Sequence, residues 1–229
     1  MTELTPRLKK VYDMLGEGDL IVDVGCDHAY LPIKLVSDEK YRRAVSSDIV
    51  PGPLAAARSN IEREGLSGKI TTVLSDGLTD VEVQGDFALA ICGMGGDTVA
   101  SVLSSDKAKR ARLIVVQPMT KEEHLRRFLW ESGFEILSEE AVAEADKIYI
   151  AMSLRYTGIN TVYTEEETFL GKRETRTVSP DMARRLELFH GRHNAIRHAI
   201  ARSGGDASRE DALVRAAERE ILDIREKMR

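Results

Sequence analysis

Residues 20–32 read LIVDVGCDHAYLP. Leu20 to Val24 is a short apolar run broken by one acid, and Gly25 lets the chain turn sharply out of it. An apolar strand that ends in an acid and a glycine, then enters a helix, is how a nucleotide-binding loop begins. A dinucleotide loop would continue with two more glycines, so that a pyrophosphate could approach bare backbone. Here the second glycine place holds Asp27, followed by His28, and the third holds Ala29. Their absence counts against NAD or FAD. A ligand without phosphate tolerates side chains there, and S-adenosylmethionine, a cation with an amino-acid tail, is such a ligand. Asp23 or Asp27 could serve its positive end, although Asp27 could equally cap the helix that follows.

Outward from this loop, apolar runs alternate with amphipathic stretches. Strands are expected at residues 43–47, 70–74, 87–92 and 113–116, with helices between them at 30–36, 54–64, 98–103 and 121–132. Residues 135–142 and 148–156 read as two further strands joined by an acidic turn, hence antiparallel. Ahead of the loop, Thr5-Pro6 suits a helix start, with Leu8, Val11, Tyr12 and Leu15 at helical spacing. The pattern predicts an α/β fold: a Rossmann-like, mostly parallel seven-stranded sheet over residues 1–157. In such sheets ligands bind at the carboxyl ends of the strands, where strand order reverses.

Residues 158–229 differ. Ser179-Pro180 starts a helix, and Met182, Leu186, Phe189, His193, Ile196 and Ile200 recur at spacings of four and three. Ser203-Gly204-Gly205-Asp206 breaks the pattern, Ser208 with Asp211 resembles a capping box, and Val214, Ala217, Ile221, Ile224 and Met228 resume the heptad-like spacing. This predicts a small C-terminal α-helical domain, a coiled-coil-like antiparallel hairpin. The formal net charge is −5, yet residues 172–202 hold eight basic side chains against three acidic ones. Lys172, Arg173, Arg176, Arg184, Arg185 and Arg192 are therefore candidate phosphate contacts. The alternative is a solvated helix face with internal ion pairs.

Each expected strand end carries a candidate site residue. Asp48, with Ile49 beside it, ends the second strand, where a carboxylate can accept from both ribose hydroxyls; it could instead cap the helix after Pro51-Gly52-Pro53. Ser75-Asp76-Gly77 ends the third, where Asp76 could accept from an adenine amino group, or simply form an Asp-Gly turn. Gly93-Met94-Gly95-Gly96 follows the fourth; three glycines in four positions admit a flat substrate close to the backbone, unless Met94 is core filler on a flexible turn. Gln117-Pro118 ends the fifth. The two cysteines, Cys26 and Cys92, fall at the ends of strands one and four, which reads as chance rather than catalysis. No zinc-ligand spacing, nucleophile elbow or Walker loop is present in the sequence, and no metal is expected. No apolar run approaches the roughly 20 residues of a membrane span, and the N-terminus lacks a signal-peptide core, so the expected location is the cytoplasm.

The segments VGCDHAYLP, SDIVPGP, SDGL, CGMGG and LIVVQP, in that order, resemble the bacterial tRNA (adenine-22-N1)-methyltransferase family, TrmK. The resemblance runs from about residue 7 to 156 and more loosely into the helical tail. It implies an S-adenosyl-L-methionine-dependent enzyme that methylates N1 of adenine 22 in tRNA. It also implies cofactor contacts at Gly25, Asp48, Asp76 and Gly77, a functionally important acid at Asp27, and a base-flanking segment at residues 93–96. Cys26 stands where the family commonly has Ser, and Met119 where it commonly has Asn, so substrate handling is where this chain departs. N1 of adenine carries an in-plane lone pair and needs no prior deprotonation. Asp27 would stabilise the cation formed on the ring or take a proton from the exocyclic amine. His28 would orient Asp27, contact the base, or pack against the helix. The basic hairpin would hold tRNA phosphates; self-association into a weak homodimer is its other reading, and the two can coexist. The alternatives to this function are a methyltransferase for a small molecule or protein, and a tRNA-binding protein with weakened catalysis.

Overall fold

The computed structural model describes residues 3–229. Seven strands form one sheet: β1 (Gly18–Val24), β2 (Tyr41–Asp48), β3 (Ile70–Leu74), β4 (Phe87–Gly95), β5 (Leu113–Thr120), β6 (Phe134–Glu144) and β7 (Lys147–Tyr156). Their order is β3-β2-β1-β4-β5-β7-β6, with β1 to β5 parallel and β7 antiparallel to both β5 and β6. Strand order reverses between β1 and β4, which is the place the fold offers to a ligand.

The period of two sorts the strand residues onto two faces. Leu20, Val22 and Val24 of β1 join Leu89, Ile91, Ile114 and Val116 in one buried cluster. That face is covered by α4 (Gly96–Leu103) and α6 (Glu122–Glu131), with the short α5 (Asp106–Lys109) between them. Ile21, Ala88, Ala90 and Val115 point to the other face, under α1 (Pro6–Met14), α2 (Tyr30–Ser37) and α3 (Pro51–Arg63). Asp23 lies on this second face by alternation, next to Ala90 in register.

Two strands run further than the sequence suggests. β4 continues to Gly95 and β5 to Thr120, pairing Met94 with Pro118 and Gly95 with Thr120 across register shifts. Gly93, at φ 77°, makes the irregularity that absorbs the extra residue. Beside such a bulge the missing N–H of Pro118 breaks no regular ladder, so proline does not end the strand as expected.

The expected C-terminal helices are present as α8 (Pro180–Arg202) and α9 (Ser208–Lys227). Ser179 caps α8 through a bond from Met182 N–H to its hydroxyl, 3.1 Å. Pairs Arg225–Glu187, His190–Glu218 and Arg197–Asp211 run in opposite directions along the two helices, so the hairpin is antiparallel. The capping box expected at Ser208 and Asp211 does not form: Ser208 is the first helical residue, and the Asp206 carboxylate accepts from its N–H at 2.9 Å. A capping box occurs instead at Thr164 and Glu167, opening α7 (Glu165–Leu170), a helix the apolar spacing does not announce. Leu170, Met182, Leu186, Ala217 and Ile221 belong to the same core cluster as β1 and β4. Among the described residues, no helix is long and apolar enough to cross a membrane.

Candidate active site

Gly25 leaves β1 in the left-handed region, φ 72°, and its N–H and that of Cys26 both donate to the Ser47 carbonyl, 2.8 and 3.0 Å. The next positions keep the backbone of a glycine-rich loop without the glycines. Asp27 has φ 48° and Ala29 has φ 58°. An L-residue held there costs roughly 1–2 kcal/mol, which surrounding structure must impose. Asp27 therefore does not cap α2: the N-cap position is Ala29, and no side chain accepts there. The Asp27 carboxylate is instead aimed outward, 71% exposed, with His28 Nε2 at 3.5 Å as its neighbour. His28 is half-buried and stacked on Tyr30 at 5.3 Å.

Beneath this loop lies a cavity of about 240 Å³, between the ends of β1 and β4 and under α1. Asp23, Gly25, Cys26 and Asp27 line one side, Cys92 and Gly93 another, and Arg7 closes it from α1. Asp23 is 4% exposed. Burial, with the nearby Asp48 charge, pushes its carboxyl up to about 7. Burial, and then the Asp23 charge, also pushes up the Cys26 and Cys92 thiols. Neither cysteine is a thiolate at neutral pH, so neither is an activated nucleophile.

Asp48, at the end of β2, is held by two backbone amides: its Oδ1 accepts from Val50 N–H at 2.9 Å, its Oδ2 from Asp27 N–H at 3.4 Å. It orders the turn before α3, whose N-cap is Val50 and receives no side-chain bond. Asp76 is exposed at the end of β3, and Gly77 follows at φ 58°. Ile49, Val50 and Leu74 stand exposed between these acids, an apolar rim against which a flat ring could lie.

The four-residue glycine segment is rigid rather than flexible. Met94 places its Cε 2.1 Å from where a Gly25 Cβ would be, so the thioether lies directly on the nucleotide-loop glycine. A Cβ on Gly96 would meet the Lys121 carbonyl at 2.4 Å, so that residue is glycine because two backbones touch. Lys121 and His124 both engage Asp97 beside it.

Arg7 and Glu144 have no local motif, and only the fold brings them to Gln117. Arg7 Nη1 donates to Gln117 Oε1 at 3.0 Å and lies 3.7 Å from Met119 Sδ. Arg7 Nε and its backbone N–H hold the two Glu144 oxygens, 2.9 and 3.0 Å. Gln117 is fully buried, its amide nitrogen donating to the Pro118 carbonyl at 2.7 Å.

Most of the basic residues of the tail are engaged internally. Arg173 grips Glu220 at 3.2 and 3.0 Å; Arg176 is buried against the same carboxylate. Arg185 reaches Glu122 at 3.3 Å, and Lys172 donates to the Val162 carbonyl at 2.7 Å. Arg184, Arg192 and Arg202 are exposed and make no ion pair among the described residues. Arg184 and Arg202 are about five turns apart, so they share one line along α8.

The arrangement fits an adenosine with a cationic, zwitterionic tail: acids at the ends of β1, β2 and β3, an apolar rim between them, and a cavity at the switch point. Residues 4–152 match the family described as a methyltransferase domain. The tRNA (adenine(22)-N(1))-methyltransferase of Bacillus subtilis (strain 168) is 31% identical over 149 residues, 64% of this chain and 63% of that protein. That match spans just under two thirds of the relative's length. A Mycoplasma pneumoniae relative is 31% identical over 150 residues, 65% of this chain and 70% of its own. Two solved structures align over nearly both whole chains. One, from Streptococcus pneumoniae in complex with S-adenosyl-L-methionine, has TM-score 0.81 and 26% identity, covering 96% of this chain and 100% of the other. The other, M. capricolum TrmK in complex with S-adenosyl-homocysteine, has TM-score 0.77 and 26% identity, covering 99% and 98%. The chain belongs to the methyltransferase-domain family, and within that family it is similar to bacterial TrmK proteins.

Proposed function

We propose that this protein transfers the methyl group of S-adenosyl-L-methionine to N1 of adenine 22 in tRNA. The observation that carries the reading is the loop after β1, which keeps a glycine-type backbone while presenting Asp27 at the mouth of the switch-point cavity. When bound, the cofactor supplies an electrophilic methyl on a sulfonium. Asp48 would take the ribose hydroxyls, and Asp76 the adenine edge of the cofactor. Residues 93–96 give the target base a rigid, side-chain-poor wall beside that methyl. In-line alignment of N1 with the methyl is the main source of rate, since the nucleophile needs no deprotonation. Asp27 balances the positive charge that the adenine ring acquires, either as a carboxylate beside it or by accepting a proton from the exocyclic amine. The base must leave its stack to reach the slot.

Residues 1–157 would carry this chemistry and residues 158–229 the grip on tRNA. Of the basic side chains in residues 172–202, Arg184, Arg192 and Arg202 are free to meet phosphates; Arg173 and Arg176 would first have to leave Glu220. The test is methyl incorporation from radiolabelled S-adenosylmethionine into an unmodified tRNA transcript and into one with guanine at position 22. Incorporation into the first alone supports the reading. Equal incorporation into both contradicts the site, and incorporation into neither, with cofactor bound, contradicts the substrate.

A further inference from the structure

Met119 is a half-buried thioether near the end of β5, and the reaction proposed above gives it no part. Its sulfur is held from two sides: Arg7 Nη1 and Gln117 Nε2 each lie 3.7 Å from Sδ. Both of these groups are fixed in turn. Arg7 is held by Glu144, and Gln117 is fully buried and donates to the Pro118 carbonyl. The same Arg7 nitrogen would lie 3.6 Å from a Cβ on Gly93, so the sulfur stands one guanidinium nitrogen away from the first glycine of the base wall. β5 flanks that wall directly, pairing Met94 with Pro118 and Gly95 with Thr120. The surroundings of the sulfur are poor in acceptors. Sulfur itself is a weak one, its two neighbours are donors, and Gln117 Oε1 already receives Arg7.

Strand order turns this into a statement about the substrate. β4 lies between β1 and β5, so Asp27, after β1, and Met119, on β5, stand on opposite sides of residues 93–96. In adenine, N1 is flanked by C6, which carries the amine, and by C2, which carries only hydrogen. With N1 at the methyl and the amine toward Asp27, C2 faces β5. We infer that Met119 is a specificity-determining residue that reads C2 of the target base. The thioether packs against an apolar C2–H. An amine at C2 would give up water and find only a weak acceptor and two competing donors, a cost that falls on the transition state. The inference rests on the reaction proposed above and adds what separates adenine from purines that carry an amine at C2, guanine among them.

The test is steady-state methyl transfer by the full chain to two tRNA transcripts that differ only at position 22, adenine in one and 2,6-diaminopurine in the other. The second base keeps N1 and the C6 amine and adds an amine at C2. Wild type should prefer adenine by at least about tenfold in kcat/KM. Met119→Asn and Met119→Gln place a carbonyl acceptor beside C2 and should narrow that gap to under about threefold. Met119→Leu, apolar and of similar size, should keep the wild-type gap. Comparing the gap among variants cancels any difference in folding or intrinsic reactivity between the two transcripts. Equal turnover of both transcripts by wild type would overturn the inference and leave the reaction standing. A gap unchanged in Met119→Asn and Met119→Gln, or lost in Met119→Leu, would also overturn it. Wild type methylating neither transcript would overturn the proposed reaction, and the inference with it.

Discussion

Asp27 and Ala29 occupy left-handed backbone that glycine takes freely, and the loop keeps a glycine-type shape around them. The sequence shows the two replacements but not that the geometry survives them, because the loop is held by bonds made in the fold: Asp27 N–H to the Asp48 carboxylate, Asn60 to the His28 carbonyl, and Ala29 N–H to the Cys26 carbonyl. Asp27→Ala should keep cofactor affinity within severalfold and lose most methyl transfer; turnover at the wild-type rate would remove Asp27 from the chemistry. Asp23 has a different signature. Its carboxyl is raised from 3.8 to about 7. A raised folded value means stability that is complete below about 4 and lost as pH climbs through 7. The span sets an upper bound of about 4 kcal/mol at roughly 1.4 kcal/mol per unit. Asp23→Asn should therefore melt higher than wild type at pH 8 and like it at pH 4, while binding S-adenosylhomocysteine worse. For wild type, that affinity should fall as pH drops from 8 to 6, as the carboxylate takes up its proton. A wild-type melting curve flat across this range would contradict the buried acid.

Elements were legible where one residue type decides them. Strand alternation and the Pro-started helices could be read directly, and the mostly parallel sheet followed. The extended ends of β4 and β5 could not, because they depend on Gly93 bulging and on Pro118 sitting beside that bulge. The contact of Gly96 with the Lys121 carbonyl has the same origin, two backbones brought together by strand pairing. Gly96→Ala should cost about 1–3 kcal/mol, read as a lower melting temperature, since neither backbone can rotate away. Helix α1 is the element whose role was least visible. Its apolar spacing marks a helix, but nothing local marks Arg7, which acts through Glu144 and Gln117 more than 100 residues away. On α8, composition points to phosphate contact, and only the structure separates spent cations from free ones. Changing Arg184 and Arg192 to Gln should weaken tRNA binding and lower its salt slope by about one each, without altering cofactor binding. An unchanged slope would move the tRNA grip elsewhere.

The whole molecule does not divide as cleanly as its composition. The tail contributes Leu170, Met182, Leu186 and Ile221 to the core that also holds β1 and β4. Arg126 ties the parts together: its side chain is 3% exposed, holds the fully buried Glu139 at 2.7 and 2.9 Å, and donates to the Thr168 carbonyl at 2.9 Å. Removing one partner of such a pair leaves a buried charge alone, so Arg126→Met should cost about 3–5 kcal/mol. It should lower one cooperative melting transition rather than split it into two. A tRNA-gripping hairpin rigidly joined to the sheet would hold the target nucleotide at a fixed distance from the switch-point cavity. The measurement that tests this account most directly is primer extension on a tRNA transcript after incubation with the protein and S-adenosylmethionine. Methylation at N1 blocks Watson–Crick pairing, so the account predicts a new stop one nucleotide 3′ of adenine 22, absent without the cofactor. Methyl incorporation with no stop there, or with a stop at another adenine, would contradict it.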